Sequence, residues 1–260
     1  MQWELLNWTD FKEAVKTCGG VCVLPLGVLE KHGPHAAIGT DLLAVHAVAC
    51  RAAEIEPAMV FPQYYFSQIF EAQHQAGTIA VRPQLIFDLL ENVCDEIARN
   101  GFKKIVLLNG HGGNNHFLPY FCQCTLAKKK DYVVYASEMG YGETDKLKPL
   151  METAADDHGG EAESSIIMAL DEKLVNKKYV PPKPVTPLPR MKDLNPVYTA
   201  IWWYSQYPDH YGGDANPASA EKGRKIMDIF VNYTAGVIKK VKKDETGPKL
   251  QAEFFDRTKH

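Results

Sequence analysis

Three short segments hold nearly all of the side chains in this chain that could do chemistry together. They are Glu30-Lys31-His32-Gly33-Pro34-His35 followed by Asp41, then Asn109-Gly110-His111-Gly112-Gly113-Asn114, and Asp157-His158-Gly159-Gly160-Glu161-Ala162-Glu163. Histidine mixed with carboxylates, without cysteine, is a donor set that suits Zn, Mn or Fe(II). Residues two apart in an extended segment project to the same side, so Glu30 and His32 can face one pocket. Asp41 can give one oxygen to each of two cations, and metal pairs ~3.5–4 Å apart recur in hydrolytic sites. Asp41 is therefore the bridging candidate. The glycines beside His111 let the backbone approach a ligand closely, which makes His111 a further candidate ligand. In the third segment His158 and Glu161, three apart, share a face of a helical turn, whereas Glu161 and Glu163 do not. At most one of these glutamates should join His158, and Glu163 reads equally well as a carboxylate at a helix start.

Each signal has a plainer reading. Gly110-His111-Gly112-Gly113 could cradle an anion at a helix N-terminus, but it lacks the G-x-G-x-x-G spacing and a Lys-Ser/Thr pair. A lone histidine beside glycine is usually a turn residue. His46, His74, His116, His210 and His260 read as ordinary surface or core residues, with His35 intermediate. Co-occurrence on one expected rim is what lifts Glu30, His32, Asp41 and His111 above that reading.

The elements that must position these residues are visible in the apolar pattern. Val21 to Gly27 reads as a strand, Asp41 to Glu54 as a helix capped by Thr40, and Ala58 to Pro62 as a second strand. Leu85 to Arg99 is an amphipathic helix closed by Asn100-Gly101. Lys104 to Leu108 is the clearest strand, followed by a helix from about Asn114 to Lys129 and a strand from Tyr132 to Ser137. Gly160 to Leu170 reads as helix, and so does Pro217 to Lys240, with Pro217 in its first turn. Strands alternating with helices imply a mostly parallel sheet covered on both faces, with ligands at the carboxyl ends of its strands. One domain over residues 1–260 is expected, with a proline-rich surface excursion around 178–215.

The 29 Lys and Arg against 32 Asp and Glu give a net charge of -3, so no basic field recruits nucleic acid or an anionic membrane. The run Lys128 to Lys130 reads as cations at the negative end of a helix. No apolar stretch approaches the ~20 residues of a membrane span, and no secretory leader is evident. The six scattered cysteines read as reduced, buried thiols, and on a helix Cys122 and Cys124 would point apart. A cytoplasmic protein acting on a small molecule is expected.

Taken together, L-P-L-G-V-L-E-K-H-G-P-H…G-T-D (Leu24 to Asp41), N-G-H-G-G-N (Asn109 to Asn114) and H-G-G-E-A-E-S-S (His158 to Ser165) resemble the creatininase (creatinine amidohydrolase) family. Gly77-Thr78-Ile79 and Ala220-Glu221-Lys222-Gly223 fit the same order. The resemblance implies a three-layer α/β/α sandwich, two divalent metal ions per chain (Zn first, Mn or Fe(II) as alternatives) and a homohexamer. It places Glu30, His32, Asp41 and His111 around the metals. Creatininase proper carries a further glutamate two residues after that histidine, where this chain has Gly113. Glu161 is then expected to supply the missing ligand. The creatinine-holding tryptophan before the third motif has no equivalent, since Ala154 and Ala155 occupy that stretch. The E-H-x-x-F-P of many relatives is replaced by Glu71-Ala72-Gln73-His74-Gln75-Ala76.

The expected activity is metal-dependent hydrolysis of a C–N bond in a small cyclic amide or formamide-like compound. His158 would act as general acid and base, oriented by Asp157 or Glu161. The alternatives are a keto-sugar or lactone hydrolase using the same site, a non-catalytic metal- or ligand-binding protein, and a nucleotide-binding transferase using the glycine loop.

Overall fold

The computed structural model describes residues 1–154 and 156–258; Ala155 and His260, named above, lie outside them. In chain order the elements are α1 (Trp8–Thr17), β1 (Val21–Leu26), α2 (Thr40–Ile55), β2 (Met59–Val60), α3 (Pro83–Arg99), β3 (Lys104–Asn109), α4 (Asn114–Cys124) and β4 (Val133–Glu138). There follow α5 (Thr144–Leu147), β5 (Asp156–His158), α6 (Glu161–Leu170), α7 (Trp202–Gln206), β6 (Gly212–Gly213), α8 (Ala220–Lys243) and α9 (Thr246–Arg257).

Strands β2-β1-β3-β4 form one sheet in that order, and every pairing is parallel. Period-two alternation divides their side chains between two cores. Val21, Val23, Val106 and Leu108 pack against α2, α6 and α8, while Cys22, Leu24, Leu26, Ile105 and Leu107 pack against α1, α3 and α4. The result is the three-layer α/β/α sandwich expected of unbroken apolar strands. Register sets Leu26 beside Asn109 and Asn109 beside Glu138, so the chain leaves β1, β3 and β4 at one level. The first two chemistry-bearing segments leave the sheet there. Gly27 lets α2 start directly over the end of β1, because a Cβ at that position would lie 2.5 Å from the Leu42 nitrogen.

Several local expectations are corrected. The N-cap of α2 is Gly39 rather than Thr40, whose hydroxyl instead donates to the Ala37 carbonyl. Helix α4 contains Pro119 and ends at Cys124, passing into a 3-10 turn over Thr125–Ala127, short of Lys129. Lys130 therefore lies beyond the helix and pairs with Glu91 and Asp95 of α3 at 2.7 and 2.8 Å. Helix α8 is capped by the Ser219 hydroxyl, so Pro217 stands outside it. The six cysteines are free, with Cys18, Cys22 and Cys94 buried. No described helix is long and apolar enough to cross a membrane.

The proline-rich excursion does more than run over the surface. It returns through β6, which pairs antiparallel with β5 so that Gly212 lies opposite His158. That pairing ties the third segment to α7 and to His210.

Candidate metal centre

Asp41, in the first turn of α2, lies between two imidazoles. Its Oδ1 is 3.0 Å from His32 Nε2 and its Oδ2 is 3.0 Å from His111 Nδ1. Glu30 Oε1 lies 2.8 Å from His111 Nδ1 and 4.0 Å from His32 Nε2. Glu163, on α6, brings Oε2 to 3.8 Å from His32 Nε2. Two groups of potential ligands result, Glu30-Asp41-His111 and His32-Asp41-Glu163, sharing Asp41; a third combines Glu30, His32 and His158. Glu30, His32, Asp41 and His111 are all buried.

The donor atoms fit a cation better than they fit one another. Glu30 Oε1 and Asp41 Oδ2 are buried without a hydrogen-bond partner despite lying close to His111 Nδ1, so their lone pairs converge without making the bonds that burial demands. The negative field is equally evident. Burial opposes charge on His32, yet Asp41, with Glu163 and Glu30, outweighs it and carries the imidazole pKa up to about 10. Burial is likewise overridden by Glu30 and Asp41 at His111, which is raised. A field that charges two buried imidazoles would also hold divalent cations, and the imidazole and carboxylate donors suit Zn, Mn or Fe(II).

Glu161 does not reach this cluster. Its side chain is wholly buried and faces the other way, accepting from the Glu152 and Thr153 amides at 3.0 and 2.9 Å and from the Thr153 hydroxyl at 2.8 Å, and pairing with Lys222. The chain turns at Gly159 and Gly160 before α6 begins, so His158 is not on the helix and shares no helical face with Glu161; it is Glu163 whose carboxylate turns toward His32. Glu163 also accepts from the Gly159 amide at 2.6 Å.

His158 is buried, and its Nε2 lies 2.8 Å from the Lys31 carbonyl. A carbonyl only accepts, so the ring carries its proton on Nε2 and Nδ1 keeps a lone pair. Burial, then His32, lowers its pKa. Neither residue expected to orient it does so, since Asp157 accepts from the Tyr207 hydroxyl and Glu161 is occupied elsewhere. His35 Nε2 instead links the first and third segments through Ser164 Oγ at 2.9 Å.

Three contributors were not legible in the sequence. His210 is buried, at φ 52°, and its Nε2 contacts Glu30 Oε2. The Trp203 indole lies against both His158 and His210 with centroids at 5.7 and 5.9 Å, so the excursion supplies a tryptophan that the third segment lacks. Glu71 approaches His111 Nε2 at 3.8 Å. The YPDHYGGD stretch around His210 carries no spacing that marks it as functional.

A cavity of roughly 1430 Å³ opens onto the cluster. Glu71, Asp156 and Asp157 line it beside the ligand candidates, with Tyr141, Tyr198, Trp202, Trp203 and Tyr204, and no lysine or arginine is among the described lining residues. The glycine loop thus faces acids, a setting that repels the phosphates of a nucleotide.

A parallel three-layer sheet with a carboxylate–imidazole cluster at its carboxyl edge defines the class of protein, and comparison with known proteins specifies it. The family profile described as creatinine amidohydrolase matches residues 4–238, and the chain belongs to the creatininase family. It is 29% identical to the creatinine amidohydrolase of Pseudomonas putida, covering 90% of this chain and 94% of that one. It is 24% identical to the 3-dehydro-scyllo-inosose hydrolase of Thermotoga maritima (92% and 83% covered), and 26% identical to the mycofactocin precursor peptide peptidase of Mycolicibacterium smegmatis (86% and 87%). A crystal structure of creatinine amidohydrolase superposes with a TM-score of 0.80 at 25% identity, covering 94% and 98% of the two chains. Solved creatininases include a Zn-Zn form and an Mn form.

Proposed function

We propose that this chain is a metal-dependent hydrolase that cleaves a C–N bond of a small cyclic amide or formamide-like compound. The observation carrying this reading is the position of Asp41, shared between two groups of potential ligands with one oxygen toward each histidine. Two divalent cations bound there would supply an activated water and polarise a carbonyl. Glu30, His32, Asp41, His111 and Glu163 would hold them.

The protein's own part is to orient, exclude water and move a proton. His158 is neutral near pH 7 because burial and His32 lower its pKa, and the Lys31 carbonyl keeps its proton on Nε2. Its Nδ1 is then the atom that accepts a proton and returns it to the leaving nitrogen. The aromatic wall of the cavity shields a ring from water. The absence of lysine and arginine among the described lining residues favours a neutral or cationic substrate over a phosphorylated one.

A keto-sugar or lactone hydrolase is the second reading. Gln68, Glu71, Asn115 and Asp156 on the cavity wall suit a hydroxyl-rich ring, and the Thermotoga maritima relative is named for such a substrate.

The test combines metal counting with product analysis on the purified protein. About two metals per chain in wild type, falling in Glu163→Ala, with a ring-opened amino acid formed from a cyclic amide, or formate and an amine from a formamide, would support the first reading. Acid release from a lactone or ring cleavage of a keto-polyol, with no nitrogenous product, would favour the second. Failure to retain metal after reconstitution with Zn, Mn or Fe(II) would overturn both.

A further inference from the structure

Position 113 is glycine, and the space beside it is filled from elsewhere. A Cβ built at Gly113 would lie 2.3 Å from Glu71 Oε1 and 2.4 Å from His111 Nε2. A side chain at 113 and the Glu71 carboxylate therefore compete for one place. Glu71 is held in that place deliberately. The Gln68 side-chain amide donates to both Glu71 oxygens at 3.2 and 2.9 Å and to the Gly113 carbonyl at 3.2 Å, while Gln68 Oε1 accepts from the Phe70 amide at 2.7 Å.

The ring that Glu71 approaches has its two nitrogens committed to different surroundings. His111 Nδ1 faces Glu30 and Asp41, whereas Nε2 is buried without a hydrogen-bond partner, 3.8 Å from Glu71 Oε1. If Nδ1 serves as a ligand, Nε2 must carry the proton, and a buried N–H needs an acceptor. Histidine ligands commonly donate their second N–H to a carboxylate, which fixes the tautomer and raises ligand basicity.

We propose that Glu71 is the positioning residue of His111: with Nδ1 on a metal, the Nε2–H would close on Glu71 Oε1, 3.8 Å away in this structure, in the space that glycine at 113 leaves open. This rests on the metal-dependent reading above. The carboxylate beside the ring comes from the 68–71 segment and occupies space that a Cβ at position 113 would take.

The experiment is competition for Zn between the reconstituted protein and a chelator, in wild type, Glu71→Ala, Glu71→Gln and Gly113→Ala. Glu71→Ala should weaken Zn retention by about 10–100-fold. Glu71→Gln, whose amide oxygen can still accept from Nε2, should keep most of it, and Gly113→Ala, whose Cβ would press on both Glu71 Oε1 and His111 Nε2, should lose Zn at least as strongly as Glu71→Ala. The unfolding midpoint of the metal-stripped Glu71→Ala protein should match wild type. Full Zn retention in Glu71→Ala would overturn the assignment, as would a loss paralleled by destabilisation of the stripped protein. If wild type itself takes up no Zn, the functional reading fails; if wild type and Glu71→Ala hold Zn equally, only Glu71 is misassigned.

Discussion

The indole Nε1–H of Trp203 donates to His210 Nδ1 across 3.0 Å. An indole only donates, so His210 must keep its proton on Nε2, where it faces Glu30 Oε2. Glu30 thereby has one oxygen engaged, while Oε1 remains beside His111 with no hydrogen bond. Burial, then His32 and His111, lowers the His210 pKa to about 3, which keeps the ring neutral and the relay in one tautomer. Trp203→Phe preserves most of the packing and removes the donor. It should lower metal retention by less than about tenfold, the low end for a group bonded directly to a ligand, because Trp203 acts on Glu30 through His210. Unchanged competition with a chelator would show that the tryptophan only packs.

Asp41 belongs to two of the potential ligand groups, whereas Glu163 belongs to one. Asp41→Asn should therefore reduce metal content from about two per chain to less than one, and Glu163→Ala to about one. Activity in Asp41→Asn should fall by more than the roughly 10–100-fold typical of outer partners. Elemental analysis of both variants after identical reconstitution checks the ordering. Equal metal counts would contradict the sharing of Asp41.

Much of the frame could be read because its signals are local. Ile105 to Leu108 is apolar throughout since β3 is covered on both faces, and the glycines after β1 and β3 mark where the chain leaves the sheet. Glu30, His32, Asp41 and His111 lie on those exits, so strand order and the loop rule suffice to gather them. Choosing between Glu161 and Glu163 depends on the exact residue at which α6 starts, and Gly159-Gly160 leaves that open. His210, Trp203 and Glu71 reach the cluster only through tertiary pairing, by β5 with β6 and by Gln68 with Gly113. No periodicity encodes those contacts.

His158 provides a pH test. Burial and His32 place its pKa below the ordinary 6.5, so the neutral, proton-accepting form is lost only as pH falls below that value. The turnover rate should be flat through neutrality and decline on an acid limb below about 6.5. In His158→Asn the residual rate should lack that limb. A limb centred above 6.5 in wild type, or one surviving in the variant, would assign the proton transfer to another group.

Glu161 separates stability from chemistry. Burial opposes its ionisation, but Lys222 and the donors at Glu152 and Thr153 outweigh it and hold the carboxyl below its usual range. A lowered carboxylate pKa means that the unfolded chain binds more protons as pH falls, so this stabilisation is complete above the unfolded value of ~4.3 and is lost on acidification through the folded one. Glu161→Ala would leave Lys222, only 11% exposed, without its buried partner, and should cost about 3 kcal/mol at pH 7, the lower end for a broken buried pair, because Lys222 retains Glu152. Denaturant midpoints of wild type and Glu161→Gln should differ most at neutral pH and converge as pH drops below ~4.3, where the unfolded wild-type chain takes up a proton that the folded carboxylate still resists. Metal content should be the same in both. A variant that lost a metal, or a midpoint difference that ignored pH, would return Glu161 to the metal centre and displace Glu163 from it.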